Sequence, residues 1–166
     1  MTSKKQELPH GVTDIISMLE RFLEYNKGGL MPFFDENTDV PTGDLMYFIA
    51  IGHSNNEEEN IRVQGGGMIQ AIDSRIDAIM EIEKIIRRYG GVNAIRQKCK
   101  IYEIISPKDA NILKDVSRIG EFGLPNMTAV ASLYHMNTHT LRRRIKRSVC
   151  ELACLIYAKN KDSGYN

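Results

Sequence analysis

Apolar residues near the C-terminus recur at intervals of four, four, three and four positions, and this spacing constrains the fold more than any other feature of the chain. The series consists of Leu141, Ile145, Val149, Leu152 and Ile156. Because an α-helix has about 3.6 residues per turn, these side chains share one face of a helix. Asn137 or Thr138 suits its N-cap, where a side-chain oxygen accepts a hydrogen bond from a free backbone N–H group. The sequence therefore predicts a long helix whose apolar face another element must cover.

A second, shorter helix is predicted just before it. Asn126 can cap a helix over residues 127–134, and the small side chain of Ala131 allows another helix to cross closely. In the turn that follows, His135 precedes Met136, which is expected to fill the space between the two helices. The residues expected to be buried are Val130, Ala131 and Leu133. This is the pattern of a helix-turn-helix, and it occupies residues 126–152.

The face of the long helix opposite the apolar series is basic. In a helix-turn-helix the second helix enters the DNA major groove, where an arginine can donate two parallel hydrogen bonds to guanine. We expect Thr138, His139, Arg142 and Arg143 to face the groove, and Arg144 to face phosphate or solvent. The predicted DNA-contacting residues are Thr138, His139, Thr140, Arg142, Arg143, Lys146 and Arg147.

Residues 136–148 resemble the recognition helix of sigma-factor region 4 and of related phage regulators. In size and layout the chain resembles two groups of bacteriophage late-gene regulators, the ArpU/RinA-like activators and the short lambdoid antitermination Q proteins. The resemblance covers residues 68–158 in layout and 126–152 in motif. It departs from the usual pattern at one position of the turn, where His135 replaces the usual glycine. It implies a transcription regulator of phage or prophage late genes that acts on bacterial RNA polymerase in the host cytoplasm, either by activation or by antitermination.

Two other interpretations of the basic helix stay open. The first is a plain helical hairpin whose arginines are solvated. The second is an interaction module that docks an acidic protein or RNA without reading a DNA sequence. The resemblance and the placement of caps and cations favour DNA binding.

Charge is distributed unevenly along the chain. Residues 1–95 contain 9 basic and 15 acidic residues, whereas residues 96–166 contain 13 basic and 6 acidic ones. A basic half is suited to a polyanion, although two faces of one domain that attract each other would show the same pattern. We expect an acidic N-terminal region, 1–67, that faces polymerase or another partner, and a helical DNA-binding domain, 68–166.

Other segments also have helical character. Thr13 or Asp14 can cap a helix that runs to about Tyr25, and Ser106 with Pro107 suits the start of another. Apolar spacing predicts further helices over residues 68–89, 93–105 and 107–119. The isoleucine-rich segment 68–89 can be core or the seam of a homodimer, and core is the default.

Proline and glycine interrupt the region between residues 30 and 67, at Pro32, Pro41, Gly43 and Gly52. The apolar run 45–51 is either a buried strand or a helix, and Gly65-Gly66-Gly67 is interpreted as a joint. The predicted fold class is therefore mainly α, with a C-terminal helix-turn-helix and a loop-rich N-terminal part.

Several functional classes are disfavoured. No apolar run approaches the roughly 18 residues of a membrane span, and no apolar run follows the basic N-terminus as in a signal peptide. Three cysteines suit a reducing compartment, and we interpret Cys99, Cys150 and Cys154 as small buried hydrophobic residues, not metal ligands. No catalytic constellation is recognisable, so neither an enzyme nor a cofactor is expected.

Overall fold

The computed structural model describes residues 8–52, 68–121 and 123–158, and within these residues it contains eight helices and no strand. The predicted fold class, mainly α, is confirmed. The predicted glycine joint at residues 65–67 lies outside the described residues. The helices are α1 (His10–Tyr25), α2 (Met31–Phe34), α3 (Gly43–Ile51), α4 (Met68–Arg88), α5 (Val92–Ile105), α6 (Pro107–Ser117), α7 (Met127–Leu133) and α8 (Thr138–Tyr157).

Helix α1 begins earlier than its sequence predicted. Pro9 is its N-cap, and His10 is the first helical residue, so the predicted start at Thr13 or Asp14 is wrong. The Thr13 hydroxyl instead donates to the His10 carbonyl oxygen at 2.9 Å, a bond made inside the first turn. Proline disfavours the helical conformation in the residue before it, so the helix does not extend back past Pro9.

The ambiguous apolar run is helical. It forms α3, in which Met46, Tyr47, Phe48 and Ile49 are buried. Gly52 ends this helix in the left-handed conformation, with φ of 75°. Helices α1 and α3 therefore make the described N-terminal residues more helical than the loop-rich part that was expected.

Helix α1 lies along α8 in the antiparallel sense. Gly11, at the start of α1, packs so closely on the Tyr157 ring that a Cβ atom there would lie 2.4 Å from Tyr157 Cε1. At the other end of α1, Leu23 packs beside Ile145. The first and last described helices thus form one layer of the core.

Residues on both sides of position 67 share the main core. Buried side chains of α1, α2 and α3 pack with those of α4, α5, α6 and α8 in one cluster. A smaller cluster joins α6, α7 and α8. The described residues before position 67 therefore share one hydrophobic core with the described residues after it, and do not form a separate domain. Among these eight helices, none has both the length and the hydropathy needed to span a lipid bilayer.

The loop after α1 is fixed to α6 through a glycine. Gly29 has φ of 51°, and a Cβ atom at this position would lie 2.7 Å from Ser117 Cα. The Leu30 backbone N–H donates to Ser117 Oγ at 2.9 Å, and Ser117 Oγ donates to the Leu113 carbonyl oxygen at 2.7 Å. Only glycine combines this backbone conformation with this close approach.

Gly29→Ala should therefore lower the free energy of unfolding by about 2 kcal/mol or more, because it adds left-handed strain and a backbone overlap. Urea unfolding followed by circular dichroism measures this change. Gly28→Ala is the matched control, since the nearest atom to its added Cβ is 4.0 Å away. Equal stability of the two variants would contradict the packing described for Gly29.

Candidate nucleic-acid interface

Asparagine side chains cap both α7 and α8. Asn126 Oδ1 accepts from the Ala129 backbone N–H at 3.0 Å. Asn137 Oδ1 accepts from the Thr140 backbone N–H at 2.7 Å, so Asn137, and not Thr138, is the cap of α8. Each cap satisfies one of the N–H groups that a helix leaves free at its start. The start of each helix follows the sequence prediction.

The turn between these helices is held in a left-handed conformation at His135. This residue has φ of 57°, and it is the one non-glycine residue with a positive φ in the part of the chain that the structure describes. The Met136 backbone N–H donates to the Ala131 carbonyl oxygen at 3.0 Å and closes the turn. The Tyr134 hydroxyl donates to Asp115 of α6. Burial, and then this contact with Asp115, raise the pKa of Tyr134 above its usual value.

The space between α6, α7 and α8 is filled by aliphatic side chains. Val130 and Ala131 are buried against α6 as expected, whereas Leu133 is 56% exposed. The prediction for Leu133 is wrong because α7 has only seven residues and a narrow buried face, which Val130 and Ala131 occupy. Met136 is half-buried against this cluster, which confirms its predicted place between the helices.

The predicted DNA-contacting side chains lie together on the first three turns of α8. Thr138 is half-buried and the other six are exposed. Arg142, Arg143 and Lys146 make no ion pair with any residue of 8–52, 68–121 or 123–158. The exposed residues are His139, Thr140, Arg142, Arg143, Lys146 and Arg147.

Arg144 has a structural role that differs from its prediction. Its Nε donates to Asp109 Oδ1 at 2.7 Å, and Asp109 is only 8% exposed. Arg147 Nη2 lies 3.8 Å from Asp109 Oδ2, with 57% of its side chain exposed. The expectation that Arg144 contacts phosphate or solvent is therefore wrong, because it neutralises a carboxylate buried under α8. Arg147 keeps an accessible guanidinium beside the same carboxylate.

This carboxylate fixes the rotation of α8 about its own axis. Asp109 belongs to α6, and its bond to Arg144 joins the two helices on one side of the apolar contact. A different rotation would separate these groups and leave a charge buried without a partner, which is costly. Asp109 was not among the predicted residues. It lies one turn before Leu113 on the buried face of α6, and an acidic residue on an apolar helix face could have indicated a buried ion pair.

Helix α1 brings two carboxylates to the edge of the basic face. Glu20 and Glu24 line one side of an open groove of about 330 Å³, and Arg142 and Lys146 line the other. Leu23 is among the apolar residues between them. Sequence reasoning missed both glutamates, since nothing local relates them to a helix more than a hundred residues away.

The three cysteines are placed differently from one another. Cys99 is buried, and burial raises the pKa of its thiol far above the usual value. Cys150 is half-buried and Cys154 is exposed, so the prediction that all three are buried is wrong. Val149, Leu152 and other aliphatic residues already fill the buried face of α8. Within the described residues, no group of three or more His, Cys, Asp or Glu side chains could hold a metal ion.

No family model, curated protein or solved structure matches this chain. A function for it must therefore follow from the surface of α8 and from the contacts that orient this helix.

Asp109→Asn should lower the free energy of unfolding by about 1–3 kcal/mol, because it leaves the partly buried Arg144 guanidinium without a counter-charge. Thermal or urea unfolding measures the loss. Glu36→Gln is the control, since Glu36 forms an exposed pair with Lys100 at 4.0 Å and should matter little. A loss of the same size in both variants would show that Asp109 has no special role.

His135→Gly should raise the free energy of unfolding by about 0.5–1 kcal/mol, because glycine adopts the left-handed conformation without steric cost. His135→Val should lower it, since a branched Cβ is poorly tolerated at positive φ. Chemical unfolding of both variants measures the two changes. The same sign for both would exclude strain at this turn as the cause.

Proposed function

We propose that this chain is a sequence-specific DNA-binding regulator of transcription, and that α7, the turn and α8 are its helix-turn-helix. One observation carries the proposal. The first turns of α8 present Arg142, Arg143 and Lys146 without ion-pair partners among the described residues, while the opposite face of the same helix is anchored on α6 and α7. A cationic helix held rigidly in this way matches the shape and charge of a DNA major groove.

The exposed side chains suit different parts of a duplex. Arg143 and Arg142 have the planar fork that donates two hydrogen bonds to guanine O6 and N7. His139 lies near the N-terminus of α8, the part of a recognition helix that reaches base edges. Thr138 and Thr140 are hydroxyl donors for phosphate or base, and Lys146 with Arg147 is suited to phosphates. The interface thus supplies both positioning and readout.

The resemblance to bacteriophage late-gene regulators makes the proposal more specific. On this basis the chain acts on late genes of a phage or prophage, through the RNA polymerase of the bacterial host and in its cytoplasm. It acts either as an activator or as an antiterminator. The acidic N-terminal region is the surface proposed to meet polymerase. Pairing of two copies would lengthen the DNA site that one helix-turn-helix can read.

Selection from a pool of random-sequence duplexes tests the proposal directly. Purified protein should enrich a defined motif, and a gel shift should then show binding to this motif that survives an excess of scrambled competitor. Equal affinity for motif and scrambled DNA would instead favour a module that docks polyanions through its basic helix. Transcription with purified polymerase separates the two mechanisms, since an antiterminator causes read-through of a terminator and an activator raises initiation.

Arg143→Ala should weaken binding to the selected motif by about 1–3 kcal/mol, roughly 5- to 150-fold, with little change for scrambled DNA. Lys146→Ala should weaken both and reduce the slope of log affinity against log salt by about 1. Fluorescence anisotropy over a salt series measures both effects.

Lys84→Ala on α4 is the control, because Lys84 is exposed and α4 packs on α1, α3 and α5. All three variants should unfold at the temperature of the wild type. Unchanged motif binding by Arg143→Ala would contradict base readout by this face of α8.

A further inference from the structure

Two acidic side chains of α1 and two basic side chains of α8 line the same groove. Glu20 is half-buried and Glu24 is exposed, and they lie one helical turn apart on α1. Arg142 and Lys146 are both exposed and lie one turn apart on α8. All four side chains line the same groove. We call them the groove quartet.

The groove quartet places opposite charges along one groove without an ion pair between them. None of its four members forms an ion pair shorter than 4.0 Å within the described residues, and the groove of about 330 Å³ between them is open to solvent. Exposed charges interact through solvent over about 8 Å at physiological salt. The two carboxylates therefore lower the positive potential at this edge of α8.

A DNA phosphate that approaches Arg142 or Lys146 competes with these carboxylates. In a complex with random DNA, attraction to phosphate supplies nearly all of the affinity. When Arg142 or Lys146 exchanges a neighbouring carboxylate for a phosphate, the net gain in binding free energy is small, because both anions attract the cation in the same way. In the proposed complex with the target, Arg142 would also make hydrogen bonds to base edges that the carboxylates cannot replace.

We propose that Glu20 and Glu24 are specificity-determining residues of the DNA interface. They compete with phosphates for Arg142 and Lys146, and so lower the affinity for random-sequence DNA more than the affinity for the target. This inference rests on the proposed function. It assigns to α1 a role in DNA specificity that adds to base readout by α8: weakening the binding of random-sequence DNA.

The test is the double variant Glu20→Gln/Glu24→Gln, assayed by anisotropy on the selected motif and on a scrambled duplex. Affinity for scrambled DNA at about 0.15 M salt should rise about 5- to 20-fold, and the affinity for the motif less than about 3-fold. The salt slope for scrambled DNA should become steeper by up to about 2, as two more phosphates are engaged. The ratio of motif to scrambled affinity therefore falls.

Glu81→Gln/Glu83→Gln is the matched control, because it makes the same change in net charge at two exposed positions of α4. It should change both affinities by one small factor and leave their ratio intact. Glu24→Gln alone, at the exposed position, should show a smaller effect of the same sign. The unfolding temperature of the double variant shows whether it folds. If it does not fold, Glu24→Gln alone still tests the inference.

The outcomes separate this inference from the proposed function. A wild-type protein that selects no motif, whether or not it binds duplex DNA, overturns both. A wild-type protein that discriminates between the duplexes, with the same ratio in the Glu20/Glu24 double variant, overturns this inference alone. A fall in the ratio that the Glu81/Glu83 control reproduces overturns it too, because net charge and not the groove would then be the cause.

Discussion

Burial of the apolar face of α8 is the constraint on which the rest of this structure depends. Leu141 packs in the smaller cluster with α6 and α7, while Val149, Leu152 and Ile156 pack in the main core with α1 and α5. One helix therefore belongs to both clusters. Because its buried face is fixed along its whole length, its opposite face is fixed as well. The accessible position of the cations is a consequence of this packing.

The basic residues of α8 have two separate roles. Arg144 neutralises Asp109 and holds the helix in place, whereas Arg142, Arg143 and Lys146 have no such partner among the described residues. Arg147 lies between these roles, near Asp109 but mostly exposed. A run of three arginines in sequence thus divides into one structural and two accessible side chains, because neighbours in a helix point in directions about 100° apart.

Sequence patterns correctly predicted those features of α7 and α8 that depend on neighbouring residues in the chain. The start of α7 with its cap at Asn126, the start of α8 to within one residue, and the place of Met136 could all be inferred from spacing and cap chemistry; the structure decides between Asn137 and Thr138 as the cap of α8. The partner of Arg144 and the groove that Glu20 shares with Arg142 could not be inferred, because tertiary packing determines both. Leu133 was assigned to the interior as an apolar residue of the short helix, and Cys154 from its residue type. Both side chains are exposed because other residues occupy the buried faces of their helices, Val130 and Ala131 in α7 and Val149 and Leu152 in α8.

The antiparallel pairing of α1 with α8 has a consequence for how the protein is made. Helix α1 packs against α8, so contacts of the main core join residues more than 120 positions apart. On the ribosome, the contact of α1 with α8 cannot be completed until residues up to about 157 have emerged, although α1 also contacts α3 and α4. Contacts of such long sequence separation slow folding. The nascent chain therefore exposes the part of α1 that α8 covers throughout the synthesis of the residues between them, and this is the interval in which chaperones would act on it.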